Sequence, residues 1–265
     1  MNKSPIVTFT TDFGLQDHYV GTMKGVVLNI CPEAILVDIC HEVPPYDIVS
    51  GALTIAAAYK YFPAGTVHVL IVDPGVGGVR RPIIAEVSSQ TFVCPDNGLL
   101  SLVLDQEGDV AVRHATSDRY FLHPVSNTFH GRDIFSPVAA HIAAGVPVDS
   151  LGPLIKDYVE LAIATPTLAM GNIQGSVLKI DRFGNVVTNI TPGHLVDAFG
   201  AGTPFVVRIA GCAISDIRTS YAGAPQGQLF AIFGSMGRLE ISANQSSAAA
   251  LLGVKPGTVV EVRKT

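Results

Sequence analysis

Charge is scarce in this chain, and several familiar clusters are missing. Acidic and basic residues make up 15% of its 265 residues, against 48% hydrophobic ones. So few charges predict that another subunit covers part of the exterior. There is no basic cluster beyond Arg80-Arg81, and the formal net charge is −5, which argues against a nucleic-acid partner. No apolar run reaches the roughly 18 residues of a membrane span, so no membrane partner is expected. Met1-Asn2-Lys3-Ser4-Pro5 runs straight into the strand-like Ile6-Val7-Thr8-Phe9-Thr10, which predicts no signal peptide. Cys31, Cys40, Cys94 and Cys212 form no CxxC pair. That disfavours a zinc knuckle or redox dithiol, and reduced thiols in a cytoplasmic protein are the simplest account. Without HxH, HExxH or DxH spacing, no metal site is expected.

What is present centres on one stretch. Val67-His68-Val69-Leu70-Ile71-Val72 is an apolar, β-branched run that reads as a strand buried on both faces. It stops at Asp73-Pro74-Gly75-Val76-Gly77-Gly78-Val79-Arg80-Arg81, where Pro and Gly force a turn. A strand that delivers a carboxylate, a glycine loop and a guanidinium at its carboxyl end matches the ligand crevice of an open α/β sheet. A turn capped by Asp73 with solvated arginines is the plainer alternative.

The order of elements supports that class. Strands over 5–12, 34–39 and 67–72 alternate with helices over 17–30 and 48–61. Strands over 83–87 and 91–94 follow, then a short helix after Pro95-Asp96-Asn97-Gly98 and another over 137–144. Beyond about residue 150, short alternating segments and turns such as Asp181-Arg182-Phe183-Gly184-Asn185 suggest a small β-barrel or sandwich. The fold class expected is α/β: an N-terminal layered domain over 1–155, a linker over 156–172, and a smaller all-β barrel over 173–265.

Three residues, two of them at strand ends, invite chemistry. Asp12 suits a ribose diol, with an N-cap for the next helix as the commoner role. Tyr46, stiffened by two prolines, can stack on a base or simply pack. His130, just before a helix, is a catalytic candidate, although a lone histidine is more often structural. His18 and His41 show no clear site.

Five motifs run in one order: Thr10-Thr11-Asp12-Phe13-Gly14, Asp73-Pro74-Gly75-Val76-Gly77 with Arg80, Pro95-Asp96-Asn97-Gly98-Leu99, Phe129-His130-Gly131-Arg132-Asp133, and Ile180 to Asn189. Together they resemble the S-adenosyl-L-methionine hydroxide adenosyltransferase family, relatives of the fluorinase and chlorinase. The resemblance implies a homotrimer with active sites between subunits, acting on a small-molecule substrate without a cofactor. It implies catalytic roles for Asp73, Arg80 and His130, a ribose contact at Asp12 and a stacking aromatic at Tyr46. Substrate contacts are also implied at Asn97, Asp181, Asn185 and Ser235. The halide-using branch carries tyrosine at the Asp73 position and serine at the Gly131 position, so this chain departs from it on both counts. The expected activity is hydrolysis of S-adenosyl-L-methionine to adenosine and L-methionine by water attacking C5′. The alternatives are a halide-dependent 5′-halo-adenosine synthase and a non-catalytic adenosyl-ligand binding protein.

Overall fold

The computed structural model describes residues 4–108, 110–169 and 171–265. The chain forms two compact units, the first running to Leu161 and the second starting at Ala162.

The first unit is a layered α/β structure. Its elements are β1 (Ile6–Thr11), α1 (Tyr19–Ile30), β2 (Ile35–Cys40), α2 (Ile48–Ala58), β3 (Val67–Ile71), β4 (Pro82–Val87), β5 (Gln90–Pro95), α3 (Ser101–Leu104), β6 (Val110–His114) and α4 (Ser136–Ala143). The six strands lie in the order β2-β1-β3-β5-β4-β6. β2, β1, β3 and β5 are parallel, while β4 runs antiparallel to both β5 and β6. Alternate residues of β3 and the residue after it feed two cores. Val67, Val69 and Ile71 join Met23, Val27, Phe135 and Val138 on the α1 and α4 face. Leu70 and Val72 join Ile55 and Leu99 on the other. This period of two explains why the run is apolar throughout.

The strand order reverses at β1. The chain leaves β1 for β2 on one side and returns to β3 on the other. The carboxyl ends of β1 and β3 therefore flank the crevice where open α/β sheets bind ligands.

The second unit holds β7 (Thr167–Ala169), β8 (Asn172–Ile180), β9 (Val186–Thr188), α5 (Pro192–Phe199), β10 (Phe205–Ile209), β11 (Cys212–Ile214), β12 (Ile217–Arg218), β13 (Leu229–Phe233), β14 (Leu239–Ala243), α6 (Ala248–Leu252) and β15 (Val259–Lys264). Its sheet runs β11-β10-β15-β8-β9-β14-β13-β12, with β7 added on β8. The sheet curls around Val177, Val186, Val207, Ile241 and Val260 until β11 and β13 touch, giving a nearly closed barrel.

Several stretches differ from the sequence expectation. The second helix is α-helical only to Ala58 and tightens to a 3₁₀ turn over Tyr59–Tyr61. Part of the 156–172 stretch is woven into the first unit: Val159 N–H donates to Asp96, and Leu161 N–H to Ser101 Oγ. A π-helix over Gly131–Phe135 precedes α4.

His68, at the centre of the first sheet, is fully buried. Gln90 Oε1 can only accept, so it takes the Nε2 hydrogen at 3.1 Å, and Thr8 Oγ1 donates to Nδ1 at 2.7 Å. Burial pushes the imidazole down to about 4. The unfolded chain, with histidine near 6.5, takes up a proton that the folded one refuses. This contribution is complete above about pH 6.5 and is lost as pH falls towards 4, by about 3 kcal/mol in all. Thermal unfolding followed from pH 7.5 to 4.5 should decline more steeply for the wild type than for His68→Gln. Parallel curves would contradict this reading.

Candidate active site

Two parallel strands bring two carboxylates to one edge. Thr11 of β1 pairs with Ile71 of β3, and the next N–H, that of Asp12, donates to the Ile71 carbonyl at 3.3 Å. Asp73 follows two residues after Ile71. Burial raises the Asp12 carboxyl above its usual range, and the nearby Asp73 charge adds to the rise, opposed by backbone hydrogen bonds. Asp12 caps no helix, since α1 starts at Tyr19 with His18 at its N-cap. Its carboxylate accepts the Tyr46 N–H at 2.9 Å instead.

Tyr46 is held oddly. It follows Pro45 in a turn closed by Asp47 N–H to the Pro44 carbonyl at 3.0 Å, and its φ is +67°. That position usually takes glycine or asparagine. A tyrosine there costs on the order of 1 kcal/mol or more, and such strain tends to collect at functional sites. Its side chain is not packed into a core, because the residue is 72% exposed.

The loop after β3 folds back on its own strand end. Arg80 Nε donates to both Asp73 oxygens at 3.0 Å, and Arg80 Nη2 donates to Oδ2 as well. The pair is secluded, with side chains 9% and 5% exposed, so Arg80 is not the solvated arginine of the plainer reading. Arg80 lies over the Phe135 ring at 5.2 Å. Its Nη2 also reaches His130 Nδ1 at 2.7 Å. A guanidinium can only donate, so Nδ1 accepts and the neutral ring carries its hydrogen on Nε2. Burial lowers the His130 pKa, and the Arg80 charge lowers it further. Asp73 and His130 are thus joined through Arg80 and not to each other.

Glycine lets the loop close. Gly77 has φ +75°, and a Cβ there would overlap the Asn127 carbonyl oxygen. Arg81 points away from the ion pair, donating from Nε to Asp96 at 2.8 Å and from Nη1 to Asp157 at 3.0 Å. Asn97 spends its amide on the backbone: Nδ2 donates to the Val72 carbonyl at 2.8 Å, and Oδ1 accepts the Leu99 N–H at 3.2 Å. It therefore ties the β5 exit to the β3 exit.

Within the second unit, Asp181 and Asn185 come together. Asp181 Oδ1 accepts the N–H groups of Phe183 and Asn185 at 2.9 Å, and Oδ2 accepts Asn185 Nδ2 at 2.8 Å. Ser235 is exposed in the turn between β13 and β14. A residue that sequence reasoning missed lies beside them. Glu240 is 5% exposed and takes the Tyr221 hydroxyl at 3.1 Å. Burial raises its carboxyl, and the Asp181 charge adds to this. Its place in an alternating strand gave no sign of it. Among the described residues, no three His, Cys, Asp or Glu side chains group as a metal cluster.

Family models describe both parts of the chain: the SAM hydroxide adenosyltransferase N-terminal domain matches residues 7–152, and the C-terminal domain matches 175–261. The chain belongs to the SAM hydroxide adenosyltransferase family. An (R)-S-adenosyl-L-methionine hydrolase from Salinispora arenicola is 37% identical to it, over 99% of both chains. A fluorinase from Nocardia brasiliensis is 29% identical, covering 98% of this chain and 97% of that one. The solved structure of an uncharacterized conserved protein from Thermotoga maritima superposes with a TM-score of 0.90 at 34% identity, over 97% of this chain and 100% of the other. The α/β-plus-barrel class and the family expected from the motifs are both borne out.

Because Gly77 sits against Asn127, Gly77→Ala in this family member should destabilise the first unit by about 2 kcal/mol. It should also lower activity by displacing Arg80. Chemical denaturation checks the first effect. A variant as stable as the wild type would show that the loop has another way to close.

Proposed function

We propose that this protein hydrolyses S-adenosyl-L-methionine to adenosine and L-methionine, with water attacking C5′. The observation that carries the reading is the secluded Asp73–Arg80–His130 group beside Asp12 at the sheet's crevice. A sulfonium leaves as a neutral thioether and needs no acid. The difficulty lies in the water, whose pKa is about 15.7 when nothing activates it. As oxygen bonds to C5′, the C5′–S electron pair passes to sulfur and the water must shed a proton. Asp73 is the base suited to accept it, because His130 Nδ1 is already taken by Arg80. Arg80 stabilises charge developing on the oxygen, and the His130 Nε2 hydrogen helps aim it.

The remaining roles rest on donor chemistry and on the motifs shared with the family. Asp12 takes the ribose diol and Tyr46 the base. Asn97 acts by holding the two strand exits together. Asp181 offers a carboxylate for the substrate's ammonium, and Asn185 its second amide hydrogen for the carboxylate, with Ser235 nearby in the barrel. The same reading extends to a cytoplasmic homotrimer with active sites between subunits. Sedimentation equilibrium tests the trimer.

The halide-using alternative fits the site poorly. It wants a serine at Gly131, where even a Cβ would come within 2.8 Å of Met23 Sδ and 3.0 Å of Ile71 Cδ1. Incubation with S-adenosyl-L-methionine in ¹⁸O-water, with and without chloride, should give labelled adenosine regardless of chloride. A chloro-adenosine product would move the protein to the halogenase branch, and ligand binding without turnover would make it a sensor.

Asp73→Asn and His130→Ala should each lower kcat by roughly 10²-fold or more while KM changes little. Steady-state kinetics checks this. A matched loss of affinity would mean that these side chains hold the substrate and not the water.

A further inference from the structure

Apart from the Asp73–Arg80–His130 group, a second chain of polar side chains runs inward from the surface of the first unit. Lys24 Nζ, on α1, donates to Asp38 Oδ2 at 2.6 Å. Asp38, on β2, places Oδ1 3.0 Å from His41 Nε2, and His41 Nδ1 lies 2.8 Å from Thr11 Oγ1. The contact between Nε2 and Asp38 is close but off the ring's N–H axis, so it is not a linear hydrogen bond. Only the outer end of the chain is wet. The Lys24 and Asp38 side chains are 30% and 39% exposed, and that of His41 is 3% exposed. Thr11 is fully buried.

The inner end grips the turn that carries Asp12. Thr11 Oγ1 accepts the Phe13 N–H at 3.3 Å, bridging over Asp12. The His41 carbonyl accepts the Gly14 N–H at 2.8 Å, and the Thr11 carbonyl accepts the Val43 N–H at 3.4 Å. His41 thus holds the Thr11–Gly14 turn at two points, by its ring and by its backbone. Burying an imidazole this deeply is unfavourable unless its nitrogens find partners. Here the Thr11 hydroxyl meets Nδ1 and the Asp38 carboxylate lies beside Nε2, so the ring links a surface ion pair to the residue next to Asp12.

We propose that His41 is the positioning residue for Asp12, with the Thr11 hydroxyl as its handle and the Lys24–Asp38 pair as its anchor. Through Asp12 it sets the affinity for a ribose diol. His41 touches no substrate itself. The inference rests on the reading of Asp12 as the ribose contact. A diol contact made equally in ground state and transition state affects KM and leaves kcat nearly unchanged.

The test is calorimetric titration of the full-length protein with adenosine and with 2′-deoxyadenosine, alongside steady-state kinetics. His41→Leu and Thr11→Val should weaken adenosine binding and raise KM by about tenfold, with kcat within about threefold of wild type. His41→Asn and Thr11→Ser, which keep a polar atom near the same place, should recover most of the loss. Lys24→Met, at the exposed end where the fold is not at risk, should give a smaller loss in the same direction. These variants should weaken binding of 2′-deoxyadenosine clearly less, because one of its two ribose hydroxyls is already missing. Folded variants that bind adenosine like wild type, or that lose as much for the deoxy ligand, would overturn the proposal while leaving the ribose reading of Asp12 intact. A wild-type protein that binds adenosine and 2′-deoxyadenosine equally well would remove the ribose reading, and this inference with it.

Discussion

The parallel pairing of β1 with β3 is the constraint on which the candidate site depends. It sets the Thr11 and Ile71 carboxyl ends side by side, so the residues that leave the two strands must share one small volume. Asp12 and Asp73 are among them, and the Asp73 charge adds to the rise of the Asp12 carboxyl. Arg80 meets both oxygens of Asp73. To do so it has to return to the strand end it has just left, and this is why the loop passes through Gly77 at a positive φ against Asn127. Removing Arg80 would leave a buried carboxylate uncompensated, a far larger penalty than the pair's net benefit.

The same constraint explains which parts of the structure the sequence disclosed. β3 is buried along its length and reads as a near-continuous apolar run, while β1 and the edge strand β2 are β-branched stretches that stop at polar turns, so all three were legible, and with them the strand ends where Asp12 and Asp73 stand. The barrel strands alternate and are punctuated by turns, so their class was legible too. Short elements fixed by tertiary contacts were not. β6 has an arginine and a histidine in a five-residue strand, and it exists because β4 supplies its partner. α5 is set by the capping box of Thr191 with His194. The π-turn after His130 has no periodicity of its own to read. Nor does the spacing of Asp73, Arg80 and His130 show that Arg80 stands between the other two. His41 looked like a loop histidine because its partners, Thr11 and Asp38, sit on two separate strands.

The place of Arg80 settles the protonation pattern. A guanidinium always donates, so the histidine nitrogen facing it is a lone pair and the ring is neutral. The hydrogen on Nε2 is then the only one this ring can offer. In the proposed mechanism, base and donor are therefore different residues, separated by a fixed cation that cannot itself exchange protons. Such a division lets one water be held from both sides without either group changing its role as the proton leaves.

Charge counting then distinguishes the nucleophiles. With Asp12 and Asp73 ionised, Arg80 positive and His130 neutral, the group carries a net charge of about −1, and a sulfonium substrate brings the balancing positive charge. Water enters that balanced site without disturbing it. A halide would have to approach two carboxylates screened by one guanidinium, in a place secluded enough for the repulsion to matter. A tyrosine in place of Asp73 would remove one of those negative charges, and a serine hydroxyl at Gly131 would add a donor for an anion. Both differences from the halide-using branch thus act in the same electrostatic direction.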